Sequence, residues 1–583
     1  MLIELANFCF FIVIALSLSQ VLFSGFMLYN NYEKTINFNS LIVTFLTIDF
    51  IALLYSFYIS DFSVLVVAQN SSSLKPILYK LASLWASYQG SLFLWLFFIA
   101  IYACYFAKSK LVSIKEKNCA MLIIAILMSC MAIFIAFFAS PFARLYPAIL
   151  QGQDLSPLLE DLNLAIHPPL LYLGYAALAI SFCHAIAALL LGRLDKAFTT
   201  SLCLYNRMGW IFLSLSIITG SYWAYYELGW GGYWSFDPVE NSALLPWLAS
   251  LGVLHFNSKM KLQAIFLSLL AFTMAIIGSF FARTNFVFSL HSFMVNFAQS
   301  VSIAIFIISV ILPAWFIFLK HRSYFKVENC KDKKLLYVFY ILLFSIIFSL
   351  FLAQMLPLLY NIISTHSIYI NIRYYYYSFV PLCIVIIFLM IYASVRFVLN
   401  KKQNLYNLVV MLCSHIGILI MLVAICFSSL FSTSKQVALE PRQNIYINNI
   451  KLTYLNSSII NANNYYGTQY NFLATKNGKT KKITVQKRNY LIQQQQTIIV
   501  GLANFGLTQL YIVMQQQQQN KVMFRIDYNY SILAIWLGAF LCIIGAVIGL
   551  PIKISRKFLI KYRLCVFFKY YYKKKCRRLN AKN

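Results

Sequence analysis

About thirteen apolar stretches, each long enough to cross a lipid bilayer, constrain this chain more than any other feature. A hydrocarbon core of about 30 Å requires roughly 20 consecutive apolar residues in a helix. Of the 583 residues, 61% are hydrophobic and only 11% are charged, well below the charge of a soluble protein. The sequence therefore predicts an all-α polytopic membrane protein with about 13 transmembrane helices. The stretches lie near residues 5–29, 40–60, 91–107, 119–140, 166–190, 207–226, 243–257, 262–282, 298–320, 335–360, 376–395, 407–431 and 530–550.

The positive charge of the chain is distributed as a signal of membrane topology. The net charge is +31, but lysines and arginines cluster in alternate short loops and in the tail at 551–583. Basic loops stay on the cytoplasmic or matrix face of a membrane. The pattern therefore places the N-terminus outside and the C-terminus inside, with a transmembrane bundle at 1–431 and a final helix at 530–550. This distribution accounts for the charge without a nucleic-acid partner.

One soluble segment, residues 432–529, interrupts the membrane pattern near the end of the chain. It contains alternating apolar and polar residues, as in Asn444–Tyr454 and Lys482–Tyr490, which is typical of β-strands. We predict a small β-rich domain outside the membrane, directly before the last helix. Two glutamine runs, Gln493–Gln496 and Gln515–Gln519, are interpreted as low-complexity insertions in its loops, with no packing role.

The stretch from Ser221 to Trp247 is the most distinctive part of the membrane region. Within it lie three carboxylates and the pair Gly231-Gly232, but no positive charge. Aromatic rings stack well on flat ligands, and glycines let the backbone approach a ligand closely. The composition therefore favours a flat aromatic ligand over an ion or a sugar. Five of the nine tryptophans lie in or just before this stretch, namely Trp210, Trp223, Trp230, Trp234 and Trp247.

Two histidines flank the tryptophan-rich stretch and share its predicted face of the membrane. His167 opens the fifth apolar stretch, and His291 lies in the outward loop after the eighth. Two neutral imidazoles beside an aromatic platform are what axial ligation of a haem iron requires. A histidine at the membrane interface is also often a simple polar anchor, and both interpretations are open from position alone.

Two other histidines are predicted to lie inside the hydrocarbon. His255 is about twelve residues from the outer end of its stretch, or ~18 Å deep, and His415 is about eight residues, or ~12 Å, from the inner end of its own. In a core of about 30 Å these depths coincide. The pair could therefore hold a second metal centre. The alternative is two unrelated buried histidines, each bonded to a backbone carbonyl.

The segment from Trp230 to Asn241, WGGYWSFDPVEN, resembles the WWD signature of the CcmF family, the haem-handling core of cytochrome c maturation. The resemblance extends in order over most of the chain. Tyr233 and Phe236 stand where the family usually has tryptophan, and Tyr88-Gln89 replaces a His-Glu pair. These departures concern how haem or quinol is positioned. Further matching positions are Ser60–Val64, Trp85, Phe142–Arg144, His167–Tyr172, Gly278, Arg283, His291, Leu510–Val513 and Trp536–Gly538.

The resemblance implies a role for each of these histidines. His167 and His291 match the pair that holds incoming haem above the WWD loop, and His255 and His415 match the pair that ligates a resident haem b. The resident haem is expected to accept electrons from quinol and to keep the incoming iron reduced. The side chains expected to bind the incoming haem are Trp223, Trp230, Tyr233, Trp234, Phe236 and Asp237, with Arg144 and Arg283 on its propionates.

The function that the resemblance implies is that of a haem lyase. Such a protein attaches haem to the CxxCH thiols of apocytochrome c and receives the haem from a CcmE-like haem chaperone. A CcmH-like subunit that handles the apocytochrome is a further expected partner. The lysine-, phenylalanine- and asparagine-rich composition and the glutamine insertions favour the mitochondrial inner membrane, with the bacterial plasma membrane as the alternative.

Two other functions are compatible with a polytopic chain of this kind. A transporter of haem or another aromatic solute would need charged residues and broken helices along a central path. Charges in the middle of the apolar stretches are almost absent, with Asp49 as the exception. A non-catalytic scaffold of a maturation complex would use the same histidines structurally, and loss of haem binding in the purified protein would favour it.

Overall fold

A computed structural model describes residues 1–193, 195–255, 260–284, 289, 293, 297–324, 334–364, 368, 370–399, 404–518 and 521–550. Within these ranges the chain forms a helical bundle, then two β-sheets, then one further helix. This architecture confirms the predicted fold class. His291 and the basic tail at 551–583 lie outside the described residues.

The helices follow one another along the chain. In the described ranges they are α1 Leu2–Tyr29, α2 Asn39–Tyr58, α3 Leu65–Asn70, α4 Ile77–Ala86, α5 Tyr88–Lys108, α6 Ile114–Phe138, α7 Leu162–Leu191, α8 Lys196–Glu227, α9 Pro238–Leu254, α10 Lys261–Ala282, α11 Phe297–His321, α12 Lys334–Ile363, α13 Ile372–Leu399, α14 Leu405–Phe431 and α15 Ile532–Ile548.

Eleven of the described helices are long and apolar enough to cross a membrane. The other two predicted spans correspond to α9 and α15, which have 17 residues each and so lie at the short limit for crossing a bilayer. Within the bundle α7 is almost completely enclosed by other helices, whereas the most apolar 18-residue stretch of α13 contains no buried residue. An exposed apolar helix of this kind suits contact with lipid.

The soluble segment forms two antiparallel sheets that pack against each other around an apolar core. One sheet has the strand order β1-β9-β8-β7 and the other β2-β3-β4-β5-β6. The strands are β1 Thr433–Leu439, β2 Asn444–Ile447, β3 Ile450–Asn461, β4 Tyr465–Lys476, β5 Lys479–Tyr490, β6 Gln496–Ile499, β7 Gly501–Phe505, β8 Thr508–Gln518 and β9 Lys521–Asn529.

Two details of the β-rich domain differ from the sequence-based expectation. The alternating stretch Asn444–Tyr454 is a hairpin of β2 and β3, because Asn448 turns the chain with φ of 50°, a conformation that asparagine tolerates. The second glutamine run is also not a loop insertion, since residues 515–518 belong to β8.

The β-sandwich is anchored on the end of α8, where the tryptophan-rich stretch begins. The Tyr225 hydroxyl donates to Gln509 at 2.6 Å and accepts from the Asn529 amide at 2.7 Å. Tyr225 itself is fully buried, against Tyr511 and Val513 of β8. Because this buried hydroxyl both donates and accepts a hydrogen bond, it fixes the position of the β-sandwich on the end of α8. The fold therefore positions the sandwich directly over the predicted site.

Candidate functional site

The tryptophan-rich stretch is largely helical, and only residues 228–237 form a loop between α8 and α9. Gly231 adopts a φ of 84°, which a residue with a side chain rarely adopts. A Cβ at Gly231 would also lie 2.8 Å from an oxygen of Asp527 on the sandwich. The Gly231 amide donates to the Tyr511 hydroxyl at 3.2 Å, and Arg525 donates to the Gly229 carbonyl at 2.7 Å. The sandwich therefore holds this loop by its backbone.

The aromatic residues of the tryptophan-rich stretch point in three directions. Trp223 and Trp234 line a cavity between α7, α8, α9 and α10. Trp230 is more than one-third exposed and covers Gly232, with its indole N–H 3.2 Å from the Ala224 carbonyl. Tyr233 packs towards Trp536 of α15, and Phe236 stacks on another helix. Only some of the predicted aromatic platform therefore faces one space.

Phe236 and Asp237 have structural roles at the start of α9. Phe236 stacks on Tyr375 of α13 with ring centroids 4.3 Å apart and planes within 11°. Asp237 caps α9 and forms a capping box with Glu240, the signature in which each side chain satisfies a free backbone N–H. Asp237 also accepts a hydrogen bond from Ser289 at 2.6 Å. Asp237 thus fixes where α9 begins, beside the cavity wall.

His167 lies in the first turns of α7 and lines the same cavity. Its Nδ1 is 2.7 Å from the Ser216 carbonyl oxygen of α8, so Nδ1 carries the proton and donates it. A Cβ at Gly220 would lie 2.8 Å from this nitrogen. The absence of a side chain at Gly220 therefore lets the imidazole pack against α8. With the proton on Nδ1, Nε2 carries the lone pair that can bind a metal.

The two predicted arginines occupy very different surroundings. Arg283, at the C-terminal end of α10, is 1% exposed and lines the cavity. Its guanidinium donates to the hydroxyls of Ser279, Ser91 and Tyr172 at 2.6–2.8 Å. Arg144 instead forms ion pairs with Glu4 at 2.7 Å and Asp61 at 3.3 Å. These acids account for the charge of Arg144, whereas the partners described for Arg283 are neutral.

Acidic neighbours raise the pKa of the Arg144 guanidinium above its ordinary value, with the hydrogen bond to Glu4 as the main cause. Arg144 therefore stays a cation locked to two carboxylates, outside the described cavity lining. Arg283 presents a buried positive charge to the cavity, and a buried charge is costly unless an anion compensates it. The structure thus brings only one of the two predicted arginines to the site.

The cavity combines these groups in one space between α7, α8, α9 and α10. Its wall is mainly apolar and aromatic, and its ionisable groups include the His167 imidazole, the Arg283 guanidinium and the Glu240 carboxylate, beside serine and tyrosine hydroxyls. Such a space can stack a flat ligand, offer a nitrogen to a metal and hold a carboxylate.

The other predicted histidine pair also comes together. The His255 and His415 rings have centroids 6.1 Å apart and planes inclined by 22°. His255 is the residue directly after α9, whereas the prediction continued this span to residue 257. His415 lies within α14. The two rings thus meet although 160 residues separate them in the sequence.

The geometry of this pair suits axial ligation of a metal ion. The rings lie close enough that both imidazoles could hold one metal ion together. The Nδ1 of His255 lies 3.0 Å from the Leu251 carbonyl, and the Nδ1 of His415 lies 3.0 Å from the Ser394 hydroxyl. Ligating histidines usually hold their second nitrogen in such a bond. His255 and His415 would together hold a metal that already carries other ligands, as haem iron does.

Sequence reasoning missed the residues that orient these imidazoles. Ser216, Gly220 and Ser394 are ordinary residues of apolar helices, and no local motif distinguishes them. The spacing of Ser216 and Gly220 by four residues places both on one face of α8. That face can be recognised as the partner of His167 only once the packing of α7 on α8 is known.

Comparison with known proteins assigns both parts of the molecule. A family model described as "Cytochrome C assembly protein" matches residues 85–288, and one described as "CcmF C-terminal beta-sandwich" matches residues 430–530. Together these models cover more than half of the chain.

Whole-length relatives and one solved structure agree with these matches. The cytochrome c-type biogenesis protein CcmF of Haemophilus influenzae is 28% identical over 86% of this chain and 90% of that protein. The protein of the same name from Escherichia coli is 26% identical over 86% and 89%. The structure described as "Cytochrome c Heme Lyase CcmF" superposes with a TM-score of 0.78 at 17% identity, over 94% of this chain and 98% of that one.

Proposed function

The chain belongs to the CcmF family of cytochrome c biogenesis proteins, and from this premise we propose that it is a cytochrome c haem lyase. The observation that carries the proposal is the cavity that unites His167, Trp223, Trp234 and Arg283 under the β-sandwich. The solved structure that shares this fold is described as a haem lyase. The substrate haem would occupy this cavity.

The side chains in the cavity wall can each contact a different part of a haem molecule. Trp223 and Trp234 provide aromatic surface for the porphyrin, and the Nε2 of His167 provides a ligand for its iron. The buried guanidinium of Arg283 can pair with a propionate in a charge-assisted hydrogen bond. The second iron ligand that we propose, His291, lies outside the described residues, and its assignment rests on the sequence.

The reaction that we propose is thioether formation with the CxxCH motif of apocytochrome c. Each thiol adds across a vinyl double bond: sulfur bonds to one vinyl carbon and the thiol proton passes to the other. Nothing is oxidised or reduced in this addition. The protein contributes mainly position, because holding the haem and the thiols in register replaces a bimolecular encounter.

We further propose that His255 and His415 hold a resident haem b. When bound, this group supplies one-electron redox chemistry that can keep substrate iron reduced, with quinol as the electron donor. The spacing of the two rings and the hydrogen bonds of both Nδ1 atoms support the assignment. The role of this chain is to fix both imidazoles and to enclose the site in apolar helices.

The partners that we propose follow from the reaction. Apocytochrome c supplies the thiols, a CcmE-like chaperone delivers haem, and a CcmH-like subunit presents the apocytochrome. The chain is a multi-pass membrane protein, and for its location we propose the mitochondrial inner membrane, on composition alone. The relatives named above are bacterial, which favours the plasma membrane as the alternative. Immunodetection in isolated mitochondria would distinguish the two.

The test of the lyase proposal compares two tryptophans of the same loop. In the complete maturation complex, Trp234→Ala should lower covalent haem attachment to apocytochrome c roughly 100-fold, because the haem loses a wall of its site. Trp230→Ala should stay within about threefold, since this ring faces outwards. Attachment is measured by haem staining after denaturing electrophoresis. Equal attachment by both variants and the wild type would contradict the proposal and favour a scaffold role.

A further inference from the structure

A cleft separate from the haem cavity lies between the β-sandwich and the start of the loop at 228–237. Its empty volume is about 860 Å³, and it is more open than the haem cavity. Its floor comes from the end of α8 and the loop, with Glu227 and Gly229, and its walls come from strands of both sheets. The wall residues are Gln496, Thr497 and Ile498 of β6, Val513, Met514 and Gln515 of β8, and Arg525 of β9. The haem cavity shares none of these residues.

Strands β6 and β8 present backbone edges that no described strand pairs. β6 is the last strand of its sheet and pairs only with β5 on one side. β8 pairs with β9 along its length, but β7 covers only residues 508–512 of its other edge. Such an edge carries N–H and C=O groups that can pair with an added strand. In the described chain, the cleft therefore lies between two incomplete edges.

The polar groups of the cleft suit a polypeptide backbone. Thr497 is 7% exposed and lines the cleft beside Gln496. The two glutamine runs also meet here, since Gln496 ends one and Gln515 begins the other. Glutamine amides both donate and accept hydrogen bonds, as a peptide backbone requires.

One layer of residues separates this cleft from the haem cavity. The indole N–H of Trp223, which lines the haem cavity, donates to the Leu158 carbonyl at 3.0 Å. Leu158 in turn lines the cleft. A chain bound along the cleft would therefore run beside the wall of the haem site.

We propose that this cleft binds an extended segment of apocytochrome c by strand addition to the free edges of β6 and β8. The proposal rests on the lyase function, which requires an unfolded polypeptide to bring its thiols to haem. Strand addition takes its affinity from main-chain hydrogen bonds, so it accepts many apocytochrome sequences. The four residues of β6 match an added strand of about four or five residues, at roughly 3.3 Å each. That length is similar to a CxxCH motif.

The first test is site-specific photo-crosslinking in the complete maturation complex. A photoreactive residue is placed at Gln496 or Gln515, and reduced apocytochrome c is added without haem. The matched control is Tyr446, an exposed residue on β2, which is the opposite edge of the same sheet as β6. The proposal expects crosslinks from Gln496 and Gln515 at roughly tenfold or greater excess over Tyr446. Equal crosslinking from all three positions would overturn it.

A blocking variant supplies the functional test. Gln515→Trp should fill the cleft and lower kcat/KM for apocytochrome c roughly tenfold through KM, because it removes binding before chemistry. Tyr446→Trp should leave kcat/KM within about twofold. The optical spectrum of the resident haem reports that both variants fold. Unchanged KM in Gln515→Trp would overturn the proposal.

The two proposals fail separately. Crosslinking is measured without haem, so crosslinks from Gln515 would still appear if Trp234→Ala left haem attachment intact and the lyase function fell. Normal haem attachment without crosslinks at Gln496 and Gln515 would overturn strand addition alone.

Discussion

Histidine is found in two opposite settings, in the outer cavity lined by His167 and in the inner pair formed by His255 and His415. His167 lies beside a loop that the β-sandwich holds by backbone contacts, in a cavity with one buried guanidinium. His255 and His415 face each other between helices, with both Nδ1 atoms in hydrogen bonds. The first arrangement suits a ligand that arrives and leaves, and the second suits a group that stays. The contrast predicts that each site can be disabled without the other.

The largest effect is expected at the inner pair. His255→Ala or His415→Ala should abolish the b-type signal in the reduced-minus-oxidised spectrum of the purified protein, because bis-histidine ligation needs both imidazoles. His321→Ala, at the end of α11 and beside Tyr324, is the matched control and should retain the signal. A full signal in a variant that carries both substitutions would refute the assignment of His255 and His415 as haem ligands.

The outer histidine should give a large effect on attachment and none on the resident spectrum. His167→Ala should lower covalent haem attachment roughly 100-fold, since the substrate iron loses the group that fixes its position. The resident spectrum should be unchanged, because neither inner histidine lines the outer cavity. Joint loss of both readouts would show that the two sites are not independent.

The same contrast explains what the sequence could predict. Thirteen apolar stretches and the alternating segment were enough for the bundle and the β-rich domain, because lipid imposes length and hydropathy on each span. Depth counting also brought His255 and His415 to one level, although His255 is at the end of α9 and not within it. The membrane thickness is the same for every span, so the depths of residues far apart in the chain can be compared.

The outer cavity could be predicted less well, because it depends on contacts between units. The sequence does not show that Phe236 would stack on Tyr375, or that Asp237 would cap α9. It also does not show that Arg144 would be paired with Glu4 and Asp61. The resemblance to a family supplied the residue types of the site, and only packing shows which of them share one space.

The two arginines give a smaller effect that sharpens this point. Arg283→Gln should lower haem attachment roughly tenfold, because a propionate loses one charge-assisted partner. Arg144→Gln should leave attachment within about twofold and lower the free energy of unfolding by less than about 1 kcal/mol, as for other partly exposed ion pairs. Haem staining and denaturant titration measure the two effects. A larger loss of attachment in Arg144→Gln than in Arg283→Gln would assign the propionate to Arg144 instead of Arg283.

An effect similar in size to that of Arg283→Gln is expected from the partner of His415. Ser394→Ala removes the hydroxyl that lies 3.0 Å from Nδ1, and loss of such a partner typically costs about 10–100-fold in metal affinity. We expect the low end, about tenfold, because the helices still hold the imidazole in place. His255 has a backbone carbonyl as its partner, which a substitution cannot remove, so only one side of the pair is loosened. Ser394→Thr keeps the hydroxyl and should retain wild-type affinity in a haem titration. Equal affinities for the alanine and threonine variants would mean that the helices alone orient the ring, and the inner site would then differ from the outer cavity in rigidity only.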